Sequence, residues 1–239
     1  MKMFDLEIKK FYNKLVTGEN FSLARFGDGE MISLRGETIA SGYGEWNTNG
    51  TDPAYAVART LLKKAFTFND PGYWVGIACP CCVGEENFNK MRSESGQKEE
   101  QLTYANLFVN SNYRFFLEKF IPIFSQRKII LVANKNAKIE NLPFTSGGYA
   151  IGVDYDAWVK NADLINALKD PNIKDHIFLF ACGPLGKILA QQLWEFNKGN
   201  TYLDIGSTLH PLIGGDLNIR GYYQVDNPYS KLVCHWGDQ

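Results

Sequence analysis

Several things are scarce in this chain of 239 residues. No run approaches the roughly 18 consecutive apolar residues of a membrane-spanning helix. The N-terminal stretch "MKMFDLEIKKFYNKL" breaks its apolar positions with charge, so it lacks a signal-peptide core. A cytoplasmic protein is the simplest expectation. Neither sign of charge dominates, with 25 Lys+Arg against 26 Asp+Glu. That balance argues against a nucleic-acid partner held by bulk electrostatics. Histidines number three and there is no G-x-S-x-G elbow, so nucleophilic hydrolysis has little support. The Walker spacing GxxxxGK[ST] and the GxGxxG fingerprint are both absent. There is no internal repeat, low-complexity tract or long linker.

Cysteine is sparse and odd in number, at five. Cys79, Cys81 and Cys82 cluster in "ACPCCVG", whereas Cys182 and Cys234 stand alone. Cys79 and Cys82 have CxxC spacing, but no second CxxC and no nearby histidine completes a ligand set. Reduced thiols at the end of a buried strand are therefore expected.

Hydrophobic residues make up 45% and aromatics 14%, enough for a sizeable core. β-rich apolar runs alternate with helical patterns. "FSLARF" (21–26), "YWVGIAC" (73–79), "KIILVAN" (128–134), "HIFLFAC" (176–182) and "TYLDIGS" (201–207) read as strands. Apolar residues at 54, 57, 58, 61, 62, 65 and 66 have helical spacing, with Asp52 as N-cap and Pro53 at the first helical position. A helix is also expected before residue 20, over 112–124 with an irregularity at Pro122, over 155–170, and over 185–196. The polar segment 81–106 reads either as a loop over the site or as an exposed helical face. The alternation predicts a single α/β domain over 1–239, Rossmann-like, with a mostly parallel sheet and helices on both faces. Ligands bind such sheets at the carboxyl ends of the strands, so chemistry is sought in three turns.

The first turn is "ARFGDGEM" (24–31). Asp28 can cap the following helix and Glu30 can complement its dipole, with Gly27 allowing a tight turn. Alternatively, Asp28 and Glu30 hold a divalent cation, Mn²⁺ or Mg²⁺, that bridges to a diphosphate. Arg25 either adds a fork to a phosphate oxygen or pairs with an acid. The second turn is "FACGPLGK" (180–187). Gly183 and Pro184 open a helix whose free N–H groups suit an anion, and Lys187 can reach a phosphate. An ordinary strand-to-helix turn reads equally well.

The third turn is "YLDIGSTLHP" (202–211). Asp204 can bind a sugar hydroxyl or act as a base, or with Ser207 it fixes the turn. His210 in this loop is the histidine best placed for function; His176 reads as a strand-edge residue and His235 lies in the tail. Farther on, "NIRGYYQ" sets Arg220 beside Tyr222 and Tyr223, which suits phosphate or sugar contact or a plain surface loop.

"SLARFGDGE", "ACGPLGKILAQQL" and "YLDIGS", in that order, resemble the GT-D glycosyltransferase fold, first described as a bacterial domain of unknown function. The resemblance spans residues 20–225, after an N-terminal helix over 1–19. It implies transfer of a sugar, typically from a UDP-sugar, to a hydroxyl of a glycan, glycolipid or glycoprotein acceptor. By the same resemblance, Asp28 and Glu30 serve the metal and the donor diphosphate, and Gly183, Pro184 and Asp204 line the nucleotide side. Better-known members read D-I-G-H where this chain has Ser207, and their E-Y-E-W segment has no counterpart here. The branch is divergent, and the proton acceptor is left among Asp204, His210, Asp216, Asp154 and Asp156. Three alternatives stand beside this reading: a non-catalytic nucleotide-sugar-binding domain, a metal-dependent hydrolase of nucleotide sugars or phosphoesters, and a pure interaction domain whose D-G-E is a helix cap.

Overall fold

The structure, a computed structural model, describes residues 2–39, 48–144, 148–154, 156–214 and 228–237. Helix α1 (Phe4–Thr17), strand β1 (Ser22–Phe26) and helix α2 (Asp28–Leu34) come first. They are followed by α3 (Pro53–Thr67), β2 (Tyr73–Ile77), α4 (Pro80–Val83), α5 (Glu85–Ser95) and β3 (Leu102–Tyr104). Next come α6 (Tyr113–Phe115), a π-helical turn (Phe116–Phe120), α7 (Ile121–Phe124), β4 (Lys128–Asn134) and β5 (Tyr149–Val153). The last elements are α8 (Ala162–Leu168), β6 (His176–Ala181), α9 (Pro184–Phe196), β7 (Thr201–Asp204) and α10 (His210–Ile213).

The strands form one seven-stranded sheet in the order β3-β2-β1-β7-β6-β4-β5. Every pairing in it is parallel. A parallel sheet is covered on both faces, so its strands are apolar throughout, and alternate residues serve opposite layers. Ala24, Val75, Val132, Phe178 and Tyr202 point toward α3, α5, α8 and α9. Their neighbours Leu23, Trp74, Leu131, Leu179 and Leu203 point toward α1 and the helical segment 113–124. The expected class, a Rossmann-like α/β domain, is the fold observed.

Local departures have physical causes. The segment 112–124 is helical, but a π turn directly precedes Pro122, whose missing N–H breaks the regular ladder. The helix expected over 155–170 shortens to Ala162–Leu168. The Asn161 side-chain amide donates to the Trp158 carbonyl, which a continuous helix would need, and Trp158 is buried edge-on to Tyr55. Segment 81–106 is mainly helical, as one of its two readings had it, and ends in β3. β3 and β5 went unread because one spans three residues and the other is largely exposed.

Candidate functional site

β1 lies inside the sheet with β2 and β3 on one side and β7 and β6 on the other. The chain leaves β1 toward β2 and returns from the opposite side through β7, so the carboxyl ends of β1 and β7 flank a topological switch point. All three turns singled out from the sequence converge there.

Each is built by simple means. After β1, Gly27 caps α2 and its N–H donates to Glu30 Oε2 at 2.9 Å. After β6, Gly183 takes a left-handed φ of 59°, and Pro184 opens α9 where its missing N–H costs nothing. After β7, Gly206 has φ 51°, and a Cβ there would lie 2.6 Å from Arg25 Nη2. Only glycine allows Arg25 to pass so close to the backbone.

Four charged side chains interlock at this point. Lys187 Nζ stands 2.8 Å from Glu30 Oε1 and 3.2 Å from Asp204 Oδ2, and donates to the Gly183 carbonyl at 3.1 Å. Asp204 Oδ2 also accepts the Arg25 backbone N–H, and Asp204 Oδ1 accepts the Gly206 N–H. Arg25 Nε donates to the Asp204 carbonyl at 2.6 Å and Nη1 to the Ala105 carbonyl at 2.8 Å. Its guanidinium lies over the Phe108 ring, 5.3 Å from the centroid. Asp204 is 0% exposed, Lys187 4% and Glu30 8%.

Burial opposes charge on Glu30, but the Lys187 ammonium and the Gly27 N–H outweigh it and hold the carboxyl below its ordinary 4.5. Burial likewise opposes charge on Lys187, but Asp204 and Glu30 outweigh it and hold the ammonium above its ordinary 10.5. Burial, reinforced by Asp204, pushes the neighbouring Cys182 thiol well up. The Lys187 ammonium thus sits between two buried carboxylates, with the half-buried Arg25 held on backbone carbonyls beside them.

This geometry bears on the cation expected between Asp28 and Glu30. Glu30 spends one oxygen on Lys187 and the other on the Gly27 N–H, so it does not fit as a metal ligand in this arrangement. Asp28 is exposed, and its Oδ1 accepts the Gly29 N–H. Ser207 and His210 follow β7 in a 3-10 turn and at the start of α10, both half-buried. Asp154 and Asp156 form ion pairs with Lys135 and Lys160, away from the network. Arg220, Asp216, Tyr222 and Tyr223 lie outside the described residues. The residues that sequence reasoning missed are Ala105 and Phe108, whose contacts with Arg25 only the fold brings about.

No protein-family model matches this chain, and no curated protein matches it. Two solved structures do. One, of the highly conserved domain of unknown function 1792, is described as having a distinct glycosyltransferase fold. It is 15% identical, covers 84% of this chain and 77% of that one, and superposes with a TM-score of 0.55. The other is a selenomethionine-substituted structure of the same domain, 16% identical with equal coverage and a TM-score of 0.56. Taken with the parallel sheet and the turns gathered at its switch point, this likeness identifies the architecture of the chain as a GT-D-like glycosyltransferase fold.

Proposed function

We propose that the chain is a glycosyltransferase that moves a sugar from a nucleotide-sugar donor, a UDP-sugar in the first instance, to a hydroxyl of a glycan or glycoconjugate. The observation that carries the proposal is the buried Arg25–Glu30–Lys187–Asp204 network at the switch point of this fold. A charged group held by these hydrogen bonds offers preorganised electrostatics where a leaving diphosphate gathers charge.

In this reading Gly27, Gly183, Pro184, Ser207 and Arg220 line the donor, and the N–H groups opening α9 face its phosphates. Arg25 and Lys187 are the cations offered to the phosphates, Lys187 being already paired with Glu30 and Asp204. Asp204 is a positioning residue, because both its oxygens are engaged and it is fully buried. Removing the proton from the acceptor hydroxyl then falls to His210, the described histidine that follows β7 at the start of α10. A Mn²⁺ or Mg²⁺ ion would be held through Asp28, whose exposed carboxylate could supply one oxygen. Such an ion would neutralise charge on the departing nucleotide.

The test is a thermal-shift panel of UDP, GDP, CMP and dTDP and their common sugars, with and without added Mn²⁺. A ligand at 100 times its Kd adds about 2.7 kcal/mol of stability. Stabilisation by one nucleotide family, lost in Asp28→Ala, is the expected result. Indifference to every nucleotide sinks the proposal. Donor consumption that ignores added acceptor turns the reading to a hydrolase, and binding without turnover turns it to a nucleotide-sugar-binding domain.

A further inference from the structure

A second cluster sits on the same sheet edge, and no step of the proposed transfer uses it. Beyond β2 the chain turns at Cys79 into α4, which carries Cys81 and Cys82. The C-terminal segment comes back to this turn. Trp236 packs edge-on to Tyr104 and Phe88, with centroids 4.8 and 5.3 Å away, and its indole N–H donates to Glu99. That return brings Cys234 against the three clustered cysteines. Cys79 Sγ lies 2.8 Å from Cys81 Sγ and 3.3 Å from Cys82 Sγ, and all four sulfurs lie within 4.8 Å of one another. All four are free thiols.

Two side-chain amides are aimed at these sulfurs. Asn106 Nδ2 donates to Cys82 Sγ at 3.1 Å, and the buried Asn110 Nδ2 donates to Cys234 Sγ at 3.4 Å. Filling of the core does not account for the group, because Cys81 and Cys82 are exposed while Cys79 and Cys234 are buried. A single disulfide would use only two of the four.

We propose that Cys79, Cys81, Cys82 and Cys234 bind one Zn²⁺ ion as a tetrathiolate structural site. Soft thiolates select zinc over the hard cations that suit carboxylates. A tetrahedral ion with Zn–S bonds of about 2.3 Å sets its sulfurs about 3.8 Å apart, within the 4.8 Å spread observed. Thiolates of an iron–sulfur cluster ligate different irons and stand farther apart. With all four ligands supplied by protein, no position is open to substrate, so the role is structural. Each thiol releases its proton to solvent as it binds. The Asn106 and Asn110 amides then offset the negative charge of the sulfurs, as outer partners of metal ligands do.

Asn106 follows Ala105, whose carbonyl holds Arg25 Nη1. The ion would therefore pin the C-terminal segment and also steady the turn against which Arg25 is set. This inference concerns the fold's support and stands whether or not the transferase reading holds.

The experiment is metal analysis of the full chain, produced with zinc in the medium and purified reduced without chelator. One zinc per chain is expected, lost in Cys82→Ser and in Cys234→Ser and retained in Asp28→Asn. Exchange into Co²⁺ should give the ligand-field bands of a tetrahedral site with intense thiolate-to-cobalt charge transfer. A strong chelator should lower the wild-type melting temperature and leave both serine variants unmoved. Wild-type protein alone can overturn the proposal. It fails if four thiols react equally fast with and without Zn²⁺, if iron with visible absorption is found, or if protein purified under argon already carries a Cys79–Cys82 disulfide.

Discussion

Two polar clusters sit one turn apart on the carboxyl edge of the sheet, and they solve opposite problems. The Arg25–Glu30–Lys187–Asp204 group carries its own counter-charges, since the Lys187 ammonium lies between the two carboxylates. The cysteine group assembles four donors of one kind, with the Asn106 and Asn110 amide N–H groups bonded to two of them. The contrast lies in where the balancing cation comes from: a side chain in the first, an ion in the second. A self-balanced group is sensitive to losing one member and tolerant of losing a matched pair. A one-sided group depends on what it binds.

The largest expected effect follows from that asymmetry. Lys187→Met strands two buried carboxylates and should cost about 3–5 kcal/mol in urea unfolding, whereas adding Glu30→Gln to it should return part of the loss. A loss below about 1 kcal/mol in the single variant would mean the group behaves like a surface ion pair. Next in size is Gly206→Ala. The left-handed φ and the close approach of Arg25 Nη2 should cost roughly 1–3 kcal/mol, read from the same midpoints.

A pH series sharpens the comparison further. Glu30, with its pKa depressed, contributes stability above 4.5 that fades as pH falls through its lowered value. Lys187, with its pKa raised, contributes stability below 10.5 that fades as pH climbs through its raised value. The wild-type advantage over the Glu30→Gln/Lys187→Met double variant should therefore be flat through neutral pH and shrink at both ends. A slope near pH 7 would contradict the assignment. The smallest effect on folding belongs to Asp28→Asn, within about 0.5 kcal/mol of wild type. The same variant should nevertheless lower Mn²⁺-dependent donor turnover, and unchanged turnover would remove Asp28 from the site.

The glycine and proline punctuation of GDGE, CGP and DIG made the three turns legible in sequence, because each marks a strand end with special backbone needs. Their convergence was legible only through the order of motifs in the resembling fold. What each charge does there was not legible. Glu30 has the same spacing whether it grips a metal or Lys187, and the choice rests on which helix packs across β1. Asp204 is polar in sequence and wholly buried in space. Cys234 showed no partner because its neighbours arrive from the far end of the chain. The shortening of α8 turned on the single Asn161 side chain.

The position of β1 has a consequence for synthesis. β1 precedes the other described strands in the chain, yet one of its two hydrogen-bonding edges is taken by β7, in the register Ser22↔Tyr202 and Leu23↔Leu203. While the chain emerges from the ribosome, that edge stays bare until β2 to β6 have all been made. Non-local parallel pairing of this kind is slow to form and leaves sticky intermediates. The sheet can close from the β3 side early, but its middle is stitched only when β7 arrives to join β1 and β6.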